Sequence, residues 1–157
     1  MVHAFVISPL DYCNALCYGI TDELTRCLQL VQNAAARLMM GTRACDHNSP
    51  VLRQLHWLPV WQRAEFRIAT LVYRSLSGNP PGYLADDCQL EAEARVRQLR
   101  SADTRTLVVS RTRSSFGDRT FAATGPHVWN SLPPNLRLCG LSYCLFRRLL
   151  KTFLFGQ

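Results

Sequence analysis

Lysine is nearly absent from this chain: of its 18 basic residues only Lys151 is lysine, and the rest are arginine. Acidic side chains are scarce in its second part. Residues 95–157 hold ten Arg and Lys151 against Asp103 and Asp118, a balance of +9, whereas residues 1–94 hold seven Arg against nine acids, a balance of −2. No apolar run reaches the roughly 20 residues that cross a bilayer. The opening stretch Met1–Ile7 is apolar, but it is short, lacks a preceding basic region and is followed by Pro9 and Asp11, which argues against a secretory signal. Phosphate-cradling glycine motifs are missing, with the eight glycines scattered at turns. Seven cysteines, an odd number without framework spacing, argue against a disulfide scaffold and for a reducing nuclear or cytoplasmic setting.

What is present fits one globular domain. The chain has 157 residues, 48% of them apolar and 18% charged, enough to bury a core and too apolar for wholesale disorder. Arginine forks grip phosphate oxygens bidentately and stack on bases, so a basic half built of arginine favours a nucleic-acid partner. A GC-rich coding region also exchanges Lys for Arg, so the clustering carries more weight than the preference.

The first two-thirds read as helical. Leu24, Leu28, Val31, Ala35 and Leu38 share a face over residues 22–40, which predicts that this face is buried. Thr21 stands at the N-cap position and Gly41 where a left-handed residue ends a helix. Ser49-Pro50 predicts a second helix start, burying Val51, Leu52 and Leu55. A third helix should run from Pro59 to Gly78 with Trp61, Ala64, Ile68, Leu71, Val72 and Ser75 on one face, widened by Phe66 and Tyr73. Asn79-Pro80-Pro81-Gly82 breaks the chain. Residues 83–104 read either as a solvated helix or as a linker. Thr106–Val109 and Phe116–Phe121 then predict a short β-hairpin. Ser142 should cap a last helix with Leu145, Phe146, Leu149, Leu150, Phe153 and Leu154 inward and Arg147, Arg148 and Lys151 outward. The expected fold is therefore mainly α: a small helical bundle over 1–82, the linker or solvated helix of 83–104, then a basic hairpin and amphipathic helix over 105–157.

Four blocks stand out in order: Asp11-Tyr12-Cys13-Asn14-Ala15-Leu16, Leu30–Leu38, Leu55-His56-Trp57-Leu58-Pro59-Val60, and Gly125-Pro126-His127-Val128-Trp129-Asn130-Ser131-Leu132-Pro133. Together they resemble the tail of the reverse transcriptases encoded by LINE-type (non-LTR) retrotransposons, over nearly the whole chain. The resemblance implies endonuclease and polymerase domains upstream, with this chain lying after the palm and its helical part in the place of the thumb. Ser8-Pro9-Leu10-Asp11 departs from the unbroken helix that leads into this block in the family, because proline cuts a helix short. A truncated or decayed copy is the meaning this implies.

Polymerisation needs carboxylates that hold two metal ions. The nearest string, Tyr83-Leu84-Ala85-Asp86-Asp87, has the wrong phase for the family's aromatic-x-Asp-Asp hairpin and no strand signal beside it, so no catalysis is expected. Cys13-x₃-Cys17 meets zinc spacing loosely, Cys45 and His47 do not complete it, and Cys139 and Cys144 stand apart, so no metal or other cofactor is expected. His47, His56 and His127 sit beside turn or core residues, and none of the cysteines has a base at nucleophile spacing. The candidate site is a nucleic-acid surface: Arg105, Arg111, Arg113 and Arg119 around Phe116, with Arg95, Arg97 and Arg100 upstream. RNA or DNA is the expected partner, with neither a membrane nor a small-molecule substrate. The other readings are a helical protein-interaction module docking through residues 22–78, and a remnant with no function.

Overall fold

The computed structural model describes residues 14–43, 46–78, 84, 86–91, 105–114 and 116–156. These residues are mainly helical, in five α-helices: α1 (Asp22–Met40), α2 (Asn48–Gln54), α3 (Val60–Leu76), α4 (Phe121–Ser131) and α5 (Tyr143–Phe155). Three 3-10 turns accompany them, Asn14–Cys17, Gly117–Arg119 and Pro134–Leu136. The chain divides into two compact units, one of Met1–Glu65 with Leu154–Gln157 and one of Phe66–Phe153.

In the first unit, α1 starts after Thr21 and ends at Gly41, whose φ of 64° places it in the left-handed region with its N–H on the Arg37 carbonyl. The face it buries overlaps the expected one only in part. Ala35 is buried as expected and Leu28 is half-buried, but Leu24, Val31 and Leu38 are exposed, and Gln32 and Ala36 are buried in their place. The reason is polar. Gln32 Nε2 donates to the Leu58 carbonyl at 2.8 Å, and Gln29 Oε1 accepts the Val60 N–H at 2.9 Å. Val60 opens α3 with an N–H that no helical carbonyl can take, and Gln29 satisfies it from another helix. These two glutamines turn α1 so that its small residues meet Val51, Leu52 and Trp57.

Helix α2 begins one residue before the expected cap, with His47 extended at the N-cap position. It ends in a Schellman arrangement. The His56 N–H bonds the Arg53 carbonyl and the Trp57 N–H bonds the Leu52 carbonyl at 2.8 Å, with Leu52 and Trp57 in the same apolar cluster. His56 takes the left-handed position, φ 55°, that glycine normally fills. Two carbonyls at the end of α5 are also satisfied here, Leu154 by Gln62 Nε2 at 2.7 Å and Phe155 by the Arg53 guanidinium at 3.1 Å.

In the second unit, Ile68, Val72 and Tyr73 of α3 are buried, as are Val128 and Trp129 of α4 and Phe146 and Leu150 of α5. Tyr73 stacks on Phe146 with ring centroids 4.2 Å apart, Trp129 lies 5.9 Å from Phe146, and the Tyr73 hydroxyl donates to the Leu141 carbonyl. Gly125 lets α4 approach α3, since a Cβ there would stand 3.2 Å from Val72 Cγ2. Ser142 caps α5, its Oγ accepting the Leu145 N–H at 3.3 Å. Of the side chains expected inward on α5, Phe146, Leu150 and Leu154 are buried, but Leu145 and Leu149 are exposed. Trp61 of α3 is likewise exposed.

The expected hairpin does not form among the described residues. Thr106–Val109 is extended, but its pairing is a single antiparallel bridge, Leu90 with Leu107. Glu91 N–H bonds the Thr106 carbonyl and Val108 N–H the Gln89 carbonyl, both at 2.9 Å. The Asn130 side chain takes both main-chain groups of Leu107, accepting its N–H at 2.9 Å and donating to its carbonyl at 2.8 Å. With those groups satisfied, the run needs no second strand. The would-be partner coils into the Gly117–Arg119 turn and the start of α4 instead.

Candidate nucleic-acid interface

The loop over 109–120 carries Arg111, Arg113 and Arg119, all exposed, around Phe116, which is 81% exposed. Burial would favour such a ring, so its position in solvent leaves an aromatic face available for stacking. The loop is braced from within. The Thr112 hydroxyl donates to the Asp118 carboxylate, Ser114 Oγ accepts the Gly117 N–H at 3.1 Å, and the Asp118 N–H bonds the Ser114 carbonyl at 3.0 Å. Gly117 packs closely, since a Cβ there would lie 3.0 Å from Thr112 Cβ. Asp118 is the sole acid between residues 105 and 120, and the Thr112 hydroxyl occupies one of its oxygens. The loop therefore carries three exposed arginines and one exposed ring against a single acid in its own sequence.

Arg105 is placed differently from the other three. It is half-buried, and its guanidinium donates to the Leu76 carbonyl at the end of α3 at 3.0 Å. Its own carbonyl accepts the Trp129 indole N–H at 2.6 Å. A cation at a helix C-terminus is favourable, so Arg105 ties the extended segment to α3 and α4. Arg95, Arg97 and Arg100 lie outside the described residues.

The Gly125–Pro133 block, singled out as a motif, holds the segment that precedes this loop. Trp129 and Asn130 grip residues 105–107, and Pro126 is fully buried, while His127 is exposed. In the other His-Trp block, Trp57 is buried in the first unit's core and His56 is exposed. Asp86 and Asp87 lie in a turn. Among the described residues, no three His, Cys, Asp or Glu side chains gather where one ion could be held. Cys13 and Cys45 lie outside the described residues; Cys139 and Cys144 are exposed. Burial pushes the Cys88 thiol up to about 11, with Asp87 adding to the rise and a hydrogen bond from Ser75 opposing it. Such a thiol is a poor nucleophile at neutral pH.

Sequence reasoning passed over a cleft of about 510 Å³ in the first unit, lined by Asp22, Arg26, Asn33, His47, Asn48 and the half-exposed Trp61 among others. Asp22 and Arg26 put both signs of charge on its wall, so it has no evident preference for a phosphate. No helix among the described residues is long and apolar enough to cross a membrane. No family model matches the chain, and no curated protein or solved structure matches it.

Proposed function

We propose that this chain is a non-catalytic C-terminal segment of a LINE-type reverse transcriptase, acting in the nucleus or cytoplasm, whose 109–120 loop holds template RNA or target DNA. In this reading α1 to α3 take the place of the polymerase thumb, and the polymerase carboxylates belong to the upstream palm. The observation that carries the nucleic-acid role is the exposed Phe116 set among Arg111, Arg113 and Arg119 on an internally braced loop. A ring that stacks on a base and guanidinium groups that hold the flanking phosphates are the two parts a sequence-tolerant single-strand site needs.

The test is retention of labelled RNA and single-stranded DNA by the full chain and by an Arg111→Ala/Arg113→Ala/Arg119→Ala variant. Binding by the parent and its loss in a variant of unchanged helicity supports the reading; equal binding by both contradicts it. Arg105 is left intact, because its guanidinium and carbonyl are both engaged in the fold.

A second reading, a helical protein-interaction module, is favoured by the exposed leucines of α1. A folded chain that binds neither nucleic acid nor protein would be a remnant without function.

A further inference from the structure

Helix α1 carries two apolar arcs, and the fold uses one. The buried arc holds Gln32, Ala35 and Ala36. On the other side Leu24, Cys27, Leu30, Val31, Ala34 and Leu38 are all exposed, Leu24 at 57% and Leu38 at 71%. Leu24, Cys27, Val31, Ala34 and Leu38 are spaced alternately three and four residues apart, the a and d positions of a heptad, with Leu30 flanking them. This seam runs about 21 Å along the helix.

We propose that the chain self-associates through this seam, two copies of α1 packing antiparallel about a two-fold axis near the middle of the helix. Side-chain size sets the direction. The a positions are large (Leu24, Val31, Leu38) and the d positions small (Cys27, Ala34). A parallel pair would place large on large and small on small, leaving layers alternately crowded and hollow. An antiparallel pair sets a against d: Leu24 meets the partner's Ala34 and Val31 meets the partner's Cys27, so these layers each hold one large and one small side chain, with Leu38 beyond the last of them.

Charge agrees with that direction. Glu23 and Arg37 lie on the Leu30 side of the seam, each seven residues from Leu30. Antiparallel packing brings Glu23 beside the partner's Arg37 twice per dimer and opposes the helix dipoles. Parallel packing would set the acidic ends, Asp22 and Glu23 of each copy, side by side.

The test is sedimentation equilibrium of the full chain in reducing buffer across a concentration series. The expected mass is twice the 17.8 kDa of one chain. Val31→Glu/Leu38→Glu should return it to one chain with unchanged circular dichroism. Glu23→Arg and Arg37→Glu should each weaken association about tenfold, the worth of two exposed contacts made repulsive, and together restore it. Alkylation gives a readout that needs no variant: Cys27 should become slower to modify as concentration rises, while exposed Cys139 keeps its rate. Monomer mass throughout, Cys27 reactivity independent of concentration, or a paired reversal that fails to restore the dimer would each overturn the proposal.

Discussion

Gln32 on α1 is fully buried, and its side-chain amide donates to the Leu58 carbonyl at 2.8 Å, just before α3 begins. Gln29, one turn earlier, accepts the first N–H of α3 and donates to Gln32 and Asn33. A buried amide network of this kind specifies register, because neither helix can rotate without stranding a polar group. Gln32→Leu should cost about 1–3 kcal/mol by leaving the Leu58 carbonyl unpaired. Gln32→Glu should cost more at neutral pH, since a carboxylate would face that carbonyl. Urea unfolding midpoints of the two variants check both the size and the order.

His56 holds a left-handed backbone that a non-glycine residue adopts at a cost of roughly 1–2 kcal/mol, part of which returns through glycine's greater unfolded-state freedom. Its side chain is exposed. His56→Gly should therefore stabilise the chain by about 1 kcal/mol or slightly less, read as a higher thermal midpoint. His56→Val should lower it.

Glu65 has its carboxyl pushed above the usual carboxylate range by burial. The folded state then holds the proton more tightly than the unfolded state, so stability falls as pH rises from the unfolded value through the folded one. Glu65→Gln should raise the denaturation midpoint at pH 7, and the gain should vanish below the unfolded carboxyl range. A midpoint difference that does not change with pH would contradict this.

Asn130 serves as a strand edge for Leu107, pairing with both its N–H and its carbonyl. Asn130→Ala should cost about 1–3 kcal/mol and selectively speed hydrogen exchange at the Leu107 amide. Trp129→Phe should preserve the ring contacts with Tyr73 and Phe146 yet strand the Arg105 carbonyl. It should destabilise by a similar amount.

Helix boundaries were legible where local chemistry sets them: Gly41 after α1, Pro59 before α3, Ser142 before α5; Thr21 stands at the start of α1 but makes no side-chain cap bond. Which arc of α1 is buried was legible only at Leu28 and Ala35. Leu24, Val31 and Leu38 make the more apolar arc, and apolarity alone points it inward, whereas the buried arc is fixed by contacts of Gln29 and Gln32 some thirty residues away in sequence. The hairpin was misread for a related reason, since Asn130 and the Gln89–Glu91 segment supply from a distance the hydrogen bonds that a neighbouring strand would have supplied. In the candidate site, Arg111, Arg113, Phe116 and Arg119 are neighbours in sequence and all exposed. The separate task of Arg105 was not legible, because nothing in its local sequence points to the end of α3.

The most direct measurement is the salt dependence of single-stranded RNA and DNA binding by the folded chain and by the triple variant of Arg111, Arg113 and Arg119. Three phosphate contacts on a single strand contribute a log–log slope of about 2. The account predicts binding that weakens with salt and a slope smaller by about that amount in the triple variant, with Phe116→Ala lowering affinity but leaving the slope unchanged. A folded chain that binds neither nucleic acid, or a triple variant with unaltered affinity and slope, would contradict it.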